Sequence, residues 1–129
     1  NYPGACRQAM TYYQQCLGGD LQLMAFPDEK GQLSSDPQAK LMHSQLTCNG
    51  QVVLMASDCA PGTPLQMGNH ASVMLECESA EEIEKLFASL SEGGKVQMPL
   101  DNMFWGARFG AFTDKFGVQW MLNYTLPPK

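Results

Sequence analysis

The chain has 129 residues, a mass of 14.2 kDa, 44% apolar residues and a formal net charge of -5, which together describe one domain-sized globular chain. Eight Lys and Arg against thirteen Asp and Glu, with no basic cluster, exclude nucleic acid and an anionic membrane as expected partners. No apolar run approaches the length of a bilayer span and no signal-peptide pattern opens the chain, although a sequence beginning at Asn1 leaves a cleaved signal open.

Residues 4–17 read as a helix, with Ala9, Tyr12, Tyr13 and Cys16 on one face at helical spacing. Pro3-Gly4 precedes it as a turn, and Gly18-Gly19 ends it, since glycine accepts the left-handed cap conformation. Leu21, Leu23 and Ala25 then alternate as a strand. Residues 27–40, with Pro27, Gly31 and Pro37 among polar residues, read as a solvated loop. Leu41–Cys48 and Gln51–Ser57 are strands joined by Asn49-Gly50, the strongest short hairpin signal.

Asp58–Gly68 reads as a linker, rich in Pro and Gly. His70–Cys77 is a strand. Ser79-Ala80-Glu81-Glu82 is a capping box, and the helix behind it buries Ile83, Leu86, Phe87 and Leu90. Gly93-Gly94 ends that helix and Lys95–Met98 is a strand. Pro99–Phe104 is a short loop, followed by strands Trp105–Thr113 and Val118–Tyr124 around the turn Asp114–Gly117.

The second half repeats the first. Helix matches helix at an offset of 74, the strand after each Gly pair at 75, and the final hairpins at 67, which relates Leu54 to Met121. Each unit is a helix followed by three strands. The second also has a leading strand, whereas the first has only Asn1-Tyr2 in that place. The expected architecture is α+β: two tandem βαβββ modules, residues 1–58 and 69–129, joined by a linker at 59–68. They are expected to form an eight-stranded curved sheet with helices outside and a concave ligand cleft, the first strand of module one being largely absent. That edge is expected to be completed by residues before Asn1 or by another chain.

The five cysteines are an odd number without C-x-x-C spacing, so they read as free thiols in a cytoplasmic protein. Nine methionines suggest an adaptable core or pocket lining.

The repeat, with Leu-Gly-Gly after helix one and Glu-Gly-Gly-Lys-Val after helix two, resembles the vicinal oxygen chelate superfamily of glyoxalase I, bleomycin-resistance proteins and extradiol dioxygenases. The run Phe104–Gly110, then Phe112–Gly117 and Trp120-Met121, resembles its PhnB-like branch, some members of which are named 3-demethylubiquinone 3-methyltransferase. No Gly-rich loop between a strand and a helix is present to hold S-adenosylmethionine. The resemblance implies that metal-dependent members carry His, Gln or Glu ligands on the first and last strand of each module. Those positions fall before Asn1, at Leu54, near His70 and at Met121. Two apolar residues there leave a lone His70, so no metal, cofactor or catalytic residue is expected.

The other candidate ligand-binding residues each have a structural alternative. His43 is either a pocket donor or base, or a half-buried structural histidine. Trp105 either stacks on a planar ligand or packs in a core or dimer contact. Arg108 either holds an anionic ligand or pairs with Asp101 or Asp114. Asn123 shares the parity of Met121 and is a candidate to line the cleft. The expected function is a metal-free binder of an aromatic or amphipathic small molecule, in a homodimer. The alternative is a lyase, isomerase or dioxygenase with an atypical metal site using His43 or His70.

Overall fold

A computed structural model describes residues 1–27, 30–32, 34, 36, 38–60, 62, 64–66, 68 and 70–128. Parts of the expected loop (Asp28, Glu29, Leu33, Ser35 and Pro37) and of the expected linker (Pro61, Thr63 and Met67) lie outside them. Contacts divide the chain into residues 1–67 and 68–129.

The first unit is α1 (Cys6–Leu17), β1 (Asp20–Ala25), β2 (Leu41–Cys48) and β3 (Gln51–Ala56), with sheet order β1-β2-β3, all antiparallel. The second is β4 (Val73–Glu76), α2 (Ala80–Ser91), β5 (Lys95–Met103), β6 (Ala107–Thr113) and β7 (Gln119–Thr125), with order β4-β7-β6-β5 and β4 parallel to β7. The α+β repeat of the sequence is therefore present. Its strands, seven among the described residues, are grouped by backbone bonds into two open sheets of three and four. In the first unit the leading strand is reduced to Tyr2, which bridges in parallel to Asp58. Tyr2 N donates to the Ser57 carbonyl at 2.9 Å and Cys59 N to the Tyr2 carbonyl at 2.7 Å. Beside β7, β4 makes the same kind of parallel contact, with Cys77 N donating to the Asn123 carbonyl at 2.7 Å.

Each helix covers one face of its sheet. The α2 face buries Ile83, Leu86, Phe87 and Leu90, the four residues its periodicity indicates. The Ser79 hydroxyl accepts from Glu82 N at 3.0 Å, satisfying an amide that a helix start leaves unpaired. The buried stripe of α1 is Cys6, Ala9, Met10 and Tyr13. This is the expected spacing shifted three residues toward the N-terminus, so that Tyr12 and Cys16 are half-buried at its edge.

The two Gly pairs do the same two jobs. The first glycine of each pair has positive φ, 78° at Gly18 and 77° at Gly93. The second lies against a strand carbonyl: a Cβ would fall 2.4 Å from Thr47 O at Gly19 and 2.1 Å from Thr113 O at Gly94. The hairpin Asn49-Gly50 has φ of 52° and 78°, as a two-residue turn with both central residues left-handed requires.

Two strands differ from expectation. β4 begins at Val73 rather than His70, because the parallel register Val73↔Trp120 would set His70 against the Asp114–Gly117 turn, which has no strand to pair with. β5 runs through the expected loop to Met103. It is an edge strand, and its register shifts between Val96 and Met98 and between Met98 and Asp101, so Pro99, which lacks an N–H, sits in an irregular stretch.

Candidate functional site

Residues directly opposite across neighbouring strands point to the same side of a sheet, so register assigns every strand residue to a face. In the second unit Phe112, Trp120 and Leu122 face α2. Phe87 meets Phe112 edge-on at 5.1 Å, and Phe112 stacks on Trp120 at 6.4 Å. The buried Asp114 carboxylate accepts the Trp120 indole N–H at 2.8 Å and the amides of Phe116 and Val118 at 2.9 and 3.0 Å, tying this core to the β6–β7 turn.

The opposite face is open. Across it Met98 pairs with Ala111, Ala111 with Met121, and Met121 with Met74, giving one apolar row over four strands. Met74 is 52% and Met98 43% exposed. On one side of this row lie Thr113 and Gln119, paired with each other, with Lys95 opposite Thr113. On the other lie Asp101, Phe109, Asn123 and Glu76. Asn123 Nδ2 donates to both Glu76 oxygens at 3.0 and 2.9 Å, and Thr125 Oγ1 bonds Glu76 Oε1 at 3.1 Å. A shallow depression of about 420 Å³ opens over Ala111 and Met121, with Gln97, Thr113, Gln119 and Ser72 at its margin.

The residues singled out from sequence separate by face. Met121 and Asn123 share the open face of the second unit. Trp105, in the turn after β5 and half-exposed, packs edge-on against Phe109 of the Asn123 row at 5.9 Å and against the fully exposed Phe104 at 5.1 Å. Arg108 points the other way, toward α2. Its Nε donates to Glu84 Oε1 at 2.8 Å and its Nη1 to Asn102 Oδ1 at 3.2 Å, so its partner is Glu84 rather than Asp101 or Asp114. His70 is exposed and precedes β4, so it does not stand on the leading strand.

In the first unit His43 is half-buried, beside Gln45, whose Oε1 lies 3.2 Å from His43 Nε2. Both face away from α1, with Met24 and Met55 as their cross-strand partners. Leu54 pairs with Leu46 and shares the α1 face with Ser44, whose hydroxyl lies 3.4 Å from the Cys6 thiol. A bulge at Val53 breaks the alternation of β3, so within the first unit Met55, not Leu54, faces away from the helix, as Met121 does within the second.

Alternation along β4, β5 and β7 is the sequence signal for Met74, Met98, Glu76 and Gln119, which sequence reading did not single out. It is a usable signal only once the pairing register is known.

Burial raises both core thiols. Cys77 is pushed up to about 11 by burial, with the charges of Glu82 and Glu76 adding to it. Cys6 is raised by burial, against which the Ser44 hydrogen bond acts, with Asp58 adding to the rise. Neither is an activated nucleophile. None of the five cysteines is in a disulfide.

Among the described residues no three His, Cys, Asp or Glu side chains converge as a metal site. The open-face row offers thioethers, which are soft donors and do not suit the hard or borderline divalent ions that polarise vicinal oxygens. Glu76 is a hard donor but already accepts three hydrogen bonds. Among the described residues, those on this face do not fit a catalytic divalent ion.

The helix-plus-three-strand units and their parallel leading contacts define the fold class. The profile of the Glyoxalase/Bleomycin resistance protein/Dioxygenase superfamily matches residues 2–122, and the chain belongs to that family. Among its relatives, protein YjdN of Escherichia coli is 28% identical over 95% of this chain and 90% of its own length. The crystal structure of protein PA1353 from Pseudomonas aeruginosa has a TM-score of 0.82 at 43% identity, covering 98% of this chain and 93% of that one. The PhnB protein of Bacillus cereus has a TM-score of 0.75 at 27% identity, covering 95% and 93%. No helix among the described residues is long and apolar enough to cross a membrane.

Proposed function

We propose that this chain is a metal-independent small-molecule binding protein of the glyoxalase/bleomycin-resistance type. It holds an aromatic or amphipathic ligand on the open face of the second unit's sheet. The observation that carries this reading is the row Met98, Ala111, Met121 and Met74, apolar and partly exposed, which runs through the position where a metal-dependent relative would carry a ligand. Methionine side chains are flexible and polarisable, and suit a surface that adapts to ring systems. Phe109 and Trp105 extend the same face with aromatic edges. Family membership and five cysteines outside any disulfide support a cytosolic protein, and the exposed Phe104-Trp105 tip beside β5, the edge strand of its sheet among the described residues, supports a homodimer, to be read by sedimentation.

The test is metal analysis together with thermal shift. The purified protein is expected to hold divalent metal well below one equivalent and to be stabilised by planar apolar compounds. The second reading, an enzyme with an atypical metal site, draws on Glu76, whose carboxylate lies on the same face beside Asn123. Stoichiometric metal that is lost in Glu76→Gln or His70→Ala would establish it and overturn the first.

A further inference from the structure

The depression over Ala111 is specific about the chemistry it accepts. Among the described residues its lining contains no ionisable side chain. Lys95, which faces Thr113 in register, does not line it. The polar groups at its margin are two amides and two hydroxyls. Gln97 is the extra residue of the β5 bulge between Val96 and Met98, and its Nε2 donates to Thr113 Oγ1 at 2.9 Å. Gln119 opens β7, and its Nε2 donates to the Gly68 carbonyl at 3.2 Å. A carbonyl only accepts, so the Gln119 amide must present its nitrogen to Gly68, which fixes the orientation of the group. Among the described residues no donor reaches Oε1 of either glutamine. Two acceptors therefore flank a floor made by the small Ala111 and the thioether of Met121.

Resting on the binding reading above, we infer that this depression takes an uncharged planar ligand bearing N–H donors, of the aromatic carboxamide, lactam or amino-heterocycle class. The ring lies over Ala111 and Met121, and its N–H groups donate to Gln119 Oε1 and Gln97 Oε1. Anions are disfavoured because they would set a carboxylate against amide carbonyls, and the described lining itself supplies no cation. Esters of the same shape lose the hydrogen bonds.

The test uses four probes of one shape on the full chain: benzamide, methyl benzoate, benzoate and benzamidine. Titrations follow the Met121 methyl signal by NMR. Benzamide is expected to bind roughly three- to tenfold more tightly than each of the others, the span expected for a net hydrogen bond. Gln119→Met, which keeps the side-chain length, is expected to bring benzamide down to the level of methyl benzoate with an unchanged circular dichroism spectrum. Ala111→Leu is expected to abolish binding of all four, and since Ala111 points away from α2 the fold is retained. Equal or tighter binding of benzoate or benzamidine overturns the inference. So does a benzamide preference that survives in both Gln119→Met and Gln97→Met. If no probe moves Met121 while other planar apolar compounds stabilise the protein, the ligand class falls and the binding reading stands. If nothing stabilises the protein, both fall.

Discussion

Asp58 and Cys6 lie 52 positions apart in sequence, yet Asp58 Oδ1 accepts the Cys6 N–H, the amide of the first residue of α1, at 2.9 Å. The same oxygen accepts from Gly4 N at 2.9 Å, and Oδ2 accepts from Leu41 N at 2.8 Å. One buried carboxylate thus anchors the helix start, the chain before it and the first residue of β2. Asp58→Ala strands three amides and is expected to cost about 3 kcal/mol or more. Asp58→Asn keeps an acceptor oxygen and is expected to lose less. Equilibrium urea unfolding of the two variants gives the comparison, and equal losses would show that the charge, not the acceptor geometry, matters.

Close approach, rather than backbone conformation, governs Gly94, the second glycine of its pair. A Cβ on Gly94 would meet Thr113 O at 2.1 Å and Asp114 backbone at 2.9 Å, whereas one on Gly106, at φ 85°, has nothing within 4 Å. Gly94→Ala is expected to destabilise by about 3 kcal/mol, through forced displacement of the β6 end. Gly106→Ala is expected to lose only about 1 kcal/mol, the cost of a left-handed alanine. Thermal melts that rank them the other way would contradict the packing described.

The raised Cys77 thiol makes a prediction at alkaline pH. Its ordinary value of 9.0 is pushed up to about 11 in the folded protein. Between these values the folded state holds a proton that the unfolded state has released, so stability falls as pH rises through that window and is unaffected by this group below it. The expected loss is about 1–2 kcal/mol. It should be absent in Cys77→Ala, when urea midpoints are compared across the same pH range.

Arg108 belongs to the helix-packed face. Its partner Glu84 is more than half exposed, so Arg108→Met is expected to cost under about 1 kcal/mol, and less at high salt. Ligand binding on the open face should be unchanged in this variant. Loss of binding without loss of stability would place the guanidinium in the site after all.

Local signals carried most of the architecture. The capping box at Ser79, the stripe of α2, the Gly pairs and Asn49-Gly50 each act within a few residues, so their outcome is legible in one segment of sequence. Pairing was harder to read. β5 passes through Pro99 because β6 offers a partner on one side and, among the described residues, no strand pairs with its other edge, which nothing within Lys95–Met103 announces. At the site the limit was register. One bulge at Val53 decides that Leu54 faces α1 and Met55 does not, and a three-residue difference in where β4 starts moves His70 off the strand and brings Met74 beside Met121. The long-range acceptor role of Asp58 and the pairing of Arg108 with Glu84 depend on packing between distant segments, so their spacing in sequence carries no trace of them.

Ala111 separates two demands that binding proteins usually have to meet with the same residues. It stands between Met98 and Met121 on the open face, and its strand neighbours Gly110 and Phe112 face α2. Volume added at this one position is taken from the depression and not from the core. The size of the accepted ring can therefore be tuned, by drift or by design, with little change in folding stability.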